Sequence, residues 1–268
     1  MGAHQFHKTR KPAFAGTFYP GNADELRQMV KFCLAGAVPC AHACSLKAFI
    51  LPHAGYLYSG AIAGAGYRCL EQQRDVIRRV VLVGPSHKVA FTGIAASEDN
   101  AFATPLGEVA VDEAASEAIQ ELPQVKLLEA AHANEHCLEV HLPFLQMILD
   151  NFKVVPLVVG DASEEEVGGV LDKLWGGPET RIIVSSDLSH YHGYALACRL
   201  DQDTASCIES LQPVMHEQAC GAIPVNGLLH AARKHGLKAH AIDVRNSGDT
   251  AGDKTRVVGY GAFGFSER

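Results

Sequence analysis

Ala48-Phe49-Ile50-Leu51-Pro52-His53-Ala54-Gly55 decides the fold. A strand-length apolar run meets a turn residue and then a histidine, and an Ala- and Gly-rich stretch over 59–70 reads as the following helix. The arrangement recurs twice. The apolar run 79–83 leads into Gly84-Pro85-Ser86-His87, and 181–185 leads into Ser186-Asp187-Leu188-Ser189-His190. Strands alternating with helices predict an α/β protein, and continuous apolar runs predict strands covered on both faces. The expected architecture is a central mixed β-sheet with helices on both faces, in a single domain over 1–268.

Working outward, Asn22 and Glu25 read as the cap and acidic first turn of a helix that continues through Leu26, Met29, Val30 and Cys33 and ends at Gly36. Residues 16–21 form an aromatic-rich loop, with Phe18 and Tyr19, expected to fold over the rest. A helix is expected over 138–149 with Pro143 as a local exception. The strand at 154–159 contains Pro156, which predicts an edge position or a bulge. Helices over 194–211 and 225–235, the latter ended by Gly236, precede closing strands at 238–244 and 256–265. No linker, charge block or repeat interrupts the pattern.

Composition narrows the function. The chain has 268 residues, 47% hydrophobic and 20% charged, with a formal net charge of −7. A binder of nucleic acid needs a basic face, so that class is a poor fit. No apolar run approaches the roughly 20 residues that span a bilayer, and no signal-peptide pattern opens the sequence. A cytoplasmic protein that makes no use of a membrane is expected. The eight cysteines include no CxxC and read as reduced thiols. Cys40-Ala-His-Ala-Cys44 reads as a loop between helix and strand. Fourteen histidines, in contrast, invite a search for a metal site.

Ligand sites of open α/β sheets lie outside the carboxyl ends of their strands. His53, His87 and the Asp187–His190 turn would meet at one such edge. Asp187, three residues before His190, is positioned to orient that imidazole or to cap a helix. Glu135, His136, Glu139 and His141 form the densest polar cluster. His136 and His141 lie about 140° apart around a helix, so they share no face, whereas His136 and Glu139 could share one. Glu135 reads equally well as a polar helix start. All four are read as lining a pocket or supporting it from behind, with Tyr56 and Phe18 as walls.

The sequence also resembles a known family. Pro52-His53-Ala54-Gly55-Tyr56, Gly84-Pro85-Ser86-His87, Glu135-His136-Cys137-Leu138-Glu139-Val140-His141-Leu142-Pro143, Ser185-Ser186-Asp187-Leu188-Ser189-His190 and Ala219-Cys220-Gly221 look like signature blocks of Memo-like proteins. That family includes the AmmeMemoRadiSam system protein B of bacteria and archaea. Ser247-Gly248-Asp249 and Val257-Val258-Gly259-Tyr260 fit as well. The resemblance implies a fold similar to class III extradiol ring-cleaving dioxygenases, which hold ferrous iron with two histidines and a carboxylate. It implies His53 and His87 as metal ligands, His190 as the acid/base and Cys220 in the carboxylate's place. The likeness to those ferrous enzymes makes iron the first expectation, and a thiolate, softer than a carboxylate, brings in copper and zinc as alternatives.

The first reading is therefore a metal-dependent, dioxygenase-like oxidoreductase acting on a small organic substrate. The alternatives are a non-enzymatic module that binds a peptide or partner, and a zinc hydrolase with His190 as base. Radical-SAM and AMMECR-type proteins are partners that the family's name implies.

Overall fold

The computed structural model describes residues 8–36 and 46–267, so the Cys40–Cys44 loop lies outside the described residues. The described chain begins with β1 (Thr9–Arg10) and α1 (Ala23–Ala35), then β2 (Leu46–Leu51), α2 (Tyr56–Arg68) and β3 (Arg79–Pro85). Short elements follow: β4 (Ile94–Ala96), β5 (Ala101–Thr104), β6 (Gly107–Ala110), α3 (Glu113–Ile119), β7 (Val125–Leu127) and α4 (Glu129–Ala133). Next come α5 (His136–Glu139), α6 (Leu142–Ile148), β8 (Lys153–Val159), α7 (Glu164–Lys173), β9 (Thr180–Ser185) and β10 (His190–His192). The chain closes with α8 (Tyr194–Glu209), α9 (Ala222–His235), β11 (Lys238–Asn246) and β12 (Val257–Ser266).

The main sheet runs β10-β12-β2-β9-β3-β8-β4-β7, with β11 beside β12. Its centre, β2-β9-β3-β8, is parallel. β12 and β4 flank that centre in antiparallel register. A smaller sheet, β1-β5-β6, stands apart.

Period-two alternation assigns the strand residues to two cores. Phe49, Leu51, Val80, Leu82, Val154, Val158 and Ile183 pack with Leu26, Val30, Tyr67 and Phe144 from α1, α2 and α6. Ala48, Ile50, Val81, Val83, Val155, Leu157 and Val184 pack with Val167, Leu171, Ile208 and Leu228 from α7, α8 and α9. Each buried Val, Leu, Ile or Phe among them contributes roughly 1.5–3 kcal/mol. Both faces are thus covered, and the mixed-sheet α/β expectation matches what is observed. No described helix is long and apolar enough to cross a membrane.

Two local expectations change. The helix expected over 138–149 is two short helices, α5 and α6, separated by Val140 and His141. Pro143 falls in the first turn of α6, where its missing N–H would have had no helical partner in any case. β8 is an interior strand, not an edge, and its register with β3 has no bulge. β4 pairs only with Leu157–Val159, so Pro156 sits just outside that ladder. Asn22 caps α1, accepting from the Asp24 and Glu25 amides, and left-handed Gly236 ends α9, both as expected.

Candidate metal centre

Adjacent parallel strands bring three turns to one edge. β2 delivers His53, β3 delivers His87, and β9 between them delivers Ser185 and Asp187. Cys220 arrives from the start of α9. Gly221 makes this approach possible: a Cβ there would lie 2.7 Å from the Ser185 carbonyl and 2.8 Å from the Ser186 Cβ. Its amide donates to the Ser186 Oγ at 3.0 Å. One donor atom each from His53, His87 and Cys220 lies within 4.8 Å of the others. The Cys220 Sγ is 3.3 Å from the His53 Nε2.

His53 is buried, and its Nδ1 lies 2.7 Å from the Ser185 Oγ. Its amide donates to the Asp187 Oδ1 at 2.8 Å. Burial, reinforced by neighbouring His87, pushes its pKa well below the usual histidine range, so the ring is neutral. His87 donates through Nδ1 to the Glu135 Oε1 at 2.8 Å and through its amide to the Oε2 at 2.7 Å. Glu135 also accepts the His136 and Cys137 amides and caps α5. Burial pushes the Glu135 carboxyl up, but hydrogen bonds from His136 and His87 outweigh it and hold it below the usual carboxylate range. The Cys220 thiol is pushed up to about 12 by burial first and by the nearby Asp187 charge.

The donor set fits a metal ion. Both imidazoles have Nδ1 engaged, which leaves Nε2 for coordination, and a thiol completes a three-donor group with positions to spare. Two nitrogens and a sulfur suit zinc, copper or ferrous iron. A second set, His87, Glu135 and His136, has similar reach. Its carboxylate is already committed to four donors, so it reads as support for the first set.

The group opens into a cavity of about 720 Å³. His136 lines it, stacked on His87 at 4.6 Å and set edge-on to His53 at 5.2 Å between ring centroids. Phe18 covers His136 at 4.7 Å. His190 enters from β10, at a register shift against β12 where Tyr191 has a φ of 62°. Bulges of this kind re-aim side chains. The His190 Nδ1 donates to the Leu188 carbonyl at 2.8 Å, so a neutral ring keeps Nε2 as a base. No Lys or Arg lines the cavity among the described residues. A second cavity of about 490 Å³ meets the first at Cys220 and His216.

The structure re-partners some expected residues. Asp187 holds the His53 amide, and the Leu188 carbonyl takes the His190 ring position expected for it. The cause is the turn after β9, which folds the carboxylate back under His53. Glu139 is buried away from the cavity. It accepts Arg10 at 2.6 Å, the Tyr19 hydroxyl at 2.6 Å and the Ala13 and Phe14 amides, tying the N-terminal loop down. His136 and Glu139 therefore serve different sides of α5. His141 stands behind His53, and Tyr56 donates to the Val140 carbonyl without reaching the cavity. Phe18 is a wall, as expected.

Glu135 stands behind His87 and His136 lines the cavity, whereas Ser185, His216 and Tyr260 were missed by sequence reading. Ser185 carried one legible signal: a polar residue follows the apolar run Ile182-Ile183-Val184 at the end of a fully buried strand.

Fold and site together define a mixed-sheet α/β protein in which two strand-end histidines and a cysteine at the start of α9 could hold a metal ion. The chain belongs to the Memo-like protein family, whose profile matches residues 10–263. A MEMO1 family protein of Aquifex aeolicus is 36% identical, covering 94% of this chain and 97% of its own. One from Nitrosopumilus maritimus is 32% identical, covering 96% and 99%. The crystal structure of the uncharacterized protein JW3007 from Escherichia coli K12 superposes with a TM-score of 0.53 at 13% identity, covering 82% of this chain and 99% of that one. That likeness concerns the fold alone.

Proposed function

We propose that the protein is a mononuclear metal-dependent oxidoreductase acting on a small organic substrate, with His53, His87 and Cys220 as the ligands. The observation that carries this reading is the approach of their donor atoms within 4.8 Å at the floor of a cavity. A bound iron, copper or zinc ion would supply Lewis-acid or redox chemistry there. The chain's own residues shape the rest. Phe18 and His136 give the cavity aromatic walls. His190 offers Nε2 to take or return a proton, and Asp187 holds the backbone of His53. Among the described residues the lining holds no Lys or Arg as a fixed cation for a phosphoryl group, which favours an uncharged organic ligand over a phosphorylated one.

Elemental analysis of protein purified without added metal tests this. About one equivalent of iron or copper is expected in the native chain, and strong loss in His53→Ala and Cys220→Ser. His190→Ala should keep its metal and, once a reaction is found, lose turnover. Zinc alone would favour a hydrolase, and no metal under several growth conditions would favour a partner-binding module.

A further inference from the structure

Behind His53, away from the cavity, lies a buried chain of side chains that the proposed reaction does not use. The His53 Nδ1 is 2.7 Å from the Ser185 Oγ. The same oxygen is 2.9 Å from the His141 Nε2 and 2.7 Å from the Cys137 carbonyl. The His141 Nδ1 is 2.7 Å from the Tyr67 hydroxyl. Ser185 and Tyr67 are fully buried and His141 is 1% exposed, so bulk water does not substitute for these partners.

Counting protons leaves one consistent arrangement. A carbonyl only accepts, so the single Ser185 hydroxyl proton goes to Cys137. The Oγ then has lone pairs alone for the two imidazoles, and both nitrogens facing it must carry hydrogen. His53 is protonated at Nδ1, and His141 at Nε2. The bare His141 Nδ1 then accepts from the Tyr67 hydroxyl, and every polar atom in the chain has a partner. Reversing His53 would turn the Ser185 proton away from Cys137, and would aim an Nε2–H at the Cys220 Sγ.

We propose that Ser185, held by the Cys137 carbonyl and backed by His141 and Tyr67, is a positioning residue that locks His53 in its Nδ1–H form, with Nε2 bare toward Cys220 and His87. The inference deepens the metal-centre reading and rests on it only for its consequence, that the ligating nitrogen is ready before any metal arrives. Outer partners of this kind change metal affinity by about 10–100-fold when removed.

The test has two arms. Long-range ¹H–¹⁵N correlation spectra of the full-length, metal-free chain report each histidine's tautomer directly. The expected result is Nδ1–H for His53 and Nε2–H for His141, and an Nε2–H form of His53 overturns the proposal. Zinc affinity, measured by competition with a chromophoric chelator, should fall about 10–100-fold in Ser185→Ala while the melting temperature shows the variant folded. Unchanged affinity in a folded variant with a randomised His53 tautomer also overturns it. If the native chain binds no zinc, iron or copper, the metal reading fails, but the spectra still decide the tautomer.

Discussion

His53 is 2% exposed and leans on a neutral hydroxyl, whereas the His87 side chain is 26% exposed at the cavity's edge and leans on a carboxylate. The two imidazoles meet at 5.0 Å between ring centroids, yet their supports differ in kind. Behind the His53 ring the support runs inward through the neutral side chains of Ser185, His141 and Tyr67, while the Asp187 carboxylate takes the His53 amide. The His87 support is one ionised side chain, Glu135, which also organises the first turn of α5. A buried neutral relay sets direction only. A buried carboxylate sets direction and adds negative charge beside a site that would receive a cation. The two arms should therefore fail differently when broken.

The largest effect is expected at Glu135. Glu135→Ala strips acceptors from the His87 ring and from the amides of His87, His136 and Cys137. Leaving one buried and three partly buried donors without their acceptor should cost roughly 3–5 kcal/mol in total. Urea unfolding of the metal-free chain measures this directly. Metal affinity should fall further than in Ser185→Ala, because charge is lost along with orientation. A stability change below about 1 kcal/mol would show that the carboxylate is dispensable and that the two arms are alike.

Acid should separate the arms next. Burial first, then the nearby His136, lowers the His141 pKa from 6.5 to about 3. The unfolded chain therefore binds this proton before the folded chain does. The stability tied to a neutral His141 is complete above pH 6.5 and declines as pH falls toward 3, at up to about 1.4 kcal/mol per pH unit. Glu135 has the opposite chemistry and a later onset. Its folded carboxyl lies below the ordinary 4.5, so its contribution is present above pH 4.5 and is lost only below it. His141→Gln should lessen the slope of the stability profile between pH 6.5 and 4.5, where buried His53 and His132 still contribute, and Glu135→Gln should change the slope only below 4.5. Identical slopes for native chain and His141→Gln above pH 4.5 would mean that His141 is not held neutral by the fold.

The comparison also marks what the sequence could reveal. The strand-end histidines were legible because apolar runs fix where strands stop, and sheet topology fixes which stops share an edge. Cys220 depended on family resemblance, since nothing in a lone cysteine before Gly221 signals a helix start packed onto β9. The supports were harder to read. Glu135 looks like any acidic helix start, and that local role is real, so its contact with His87, 48 residues away, is hidden behind a sufficient explanation. Asp187 sits three residues from His190, yet its carboxylate takes the His53 amide across 134 residues, a contact that local spacing does not show. Short elements such as β4, β5, β6 and α3 lack enough residues to show a period, so the small second sheet left little trace.

The smallest effect should come from the far end of the neutral relay. Tyr67→Phe deletes only the hydroxyl that donates to the His141 Nδ1. The ring stays stacked on Phe144, with centroids 4.8 Å apart and planes within 10°, so no cavity larger than an oxygen opens. The loss is one buried acceptor left unpaired, roughly 1–3 kcal/mol, or a few degrees of melting temperature. Ser185 keeps the Cys137 carbonyl and still accepts from His53, so zinc affinity should change less than about threefold, against 10–100-fold for Ser185→Ala. Calorimetry and the chelator competition read the two quantities separately. If Tyr67→Phe weakens zinc as much as Ser185→Ala does, orientation passes along the whole chain from α2 to the metal-facing nitrogen, and His141 is a working link instead of a brace.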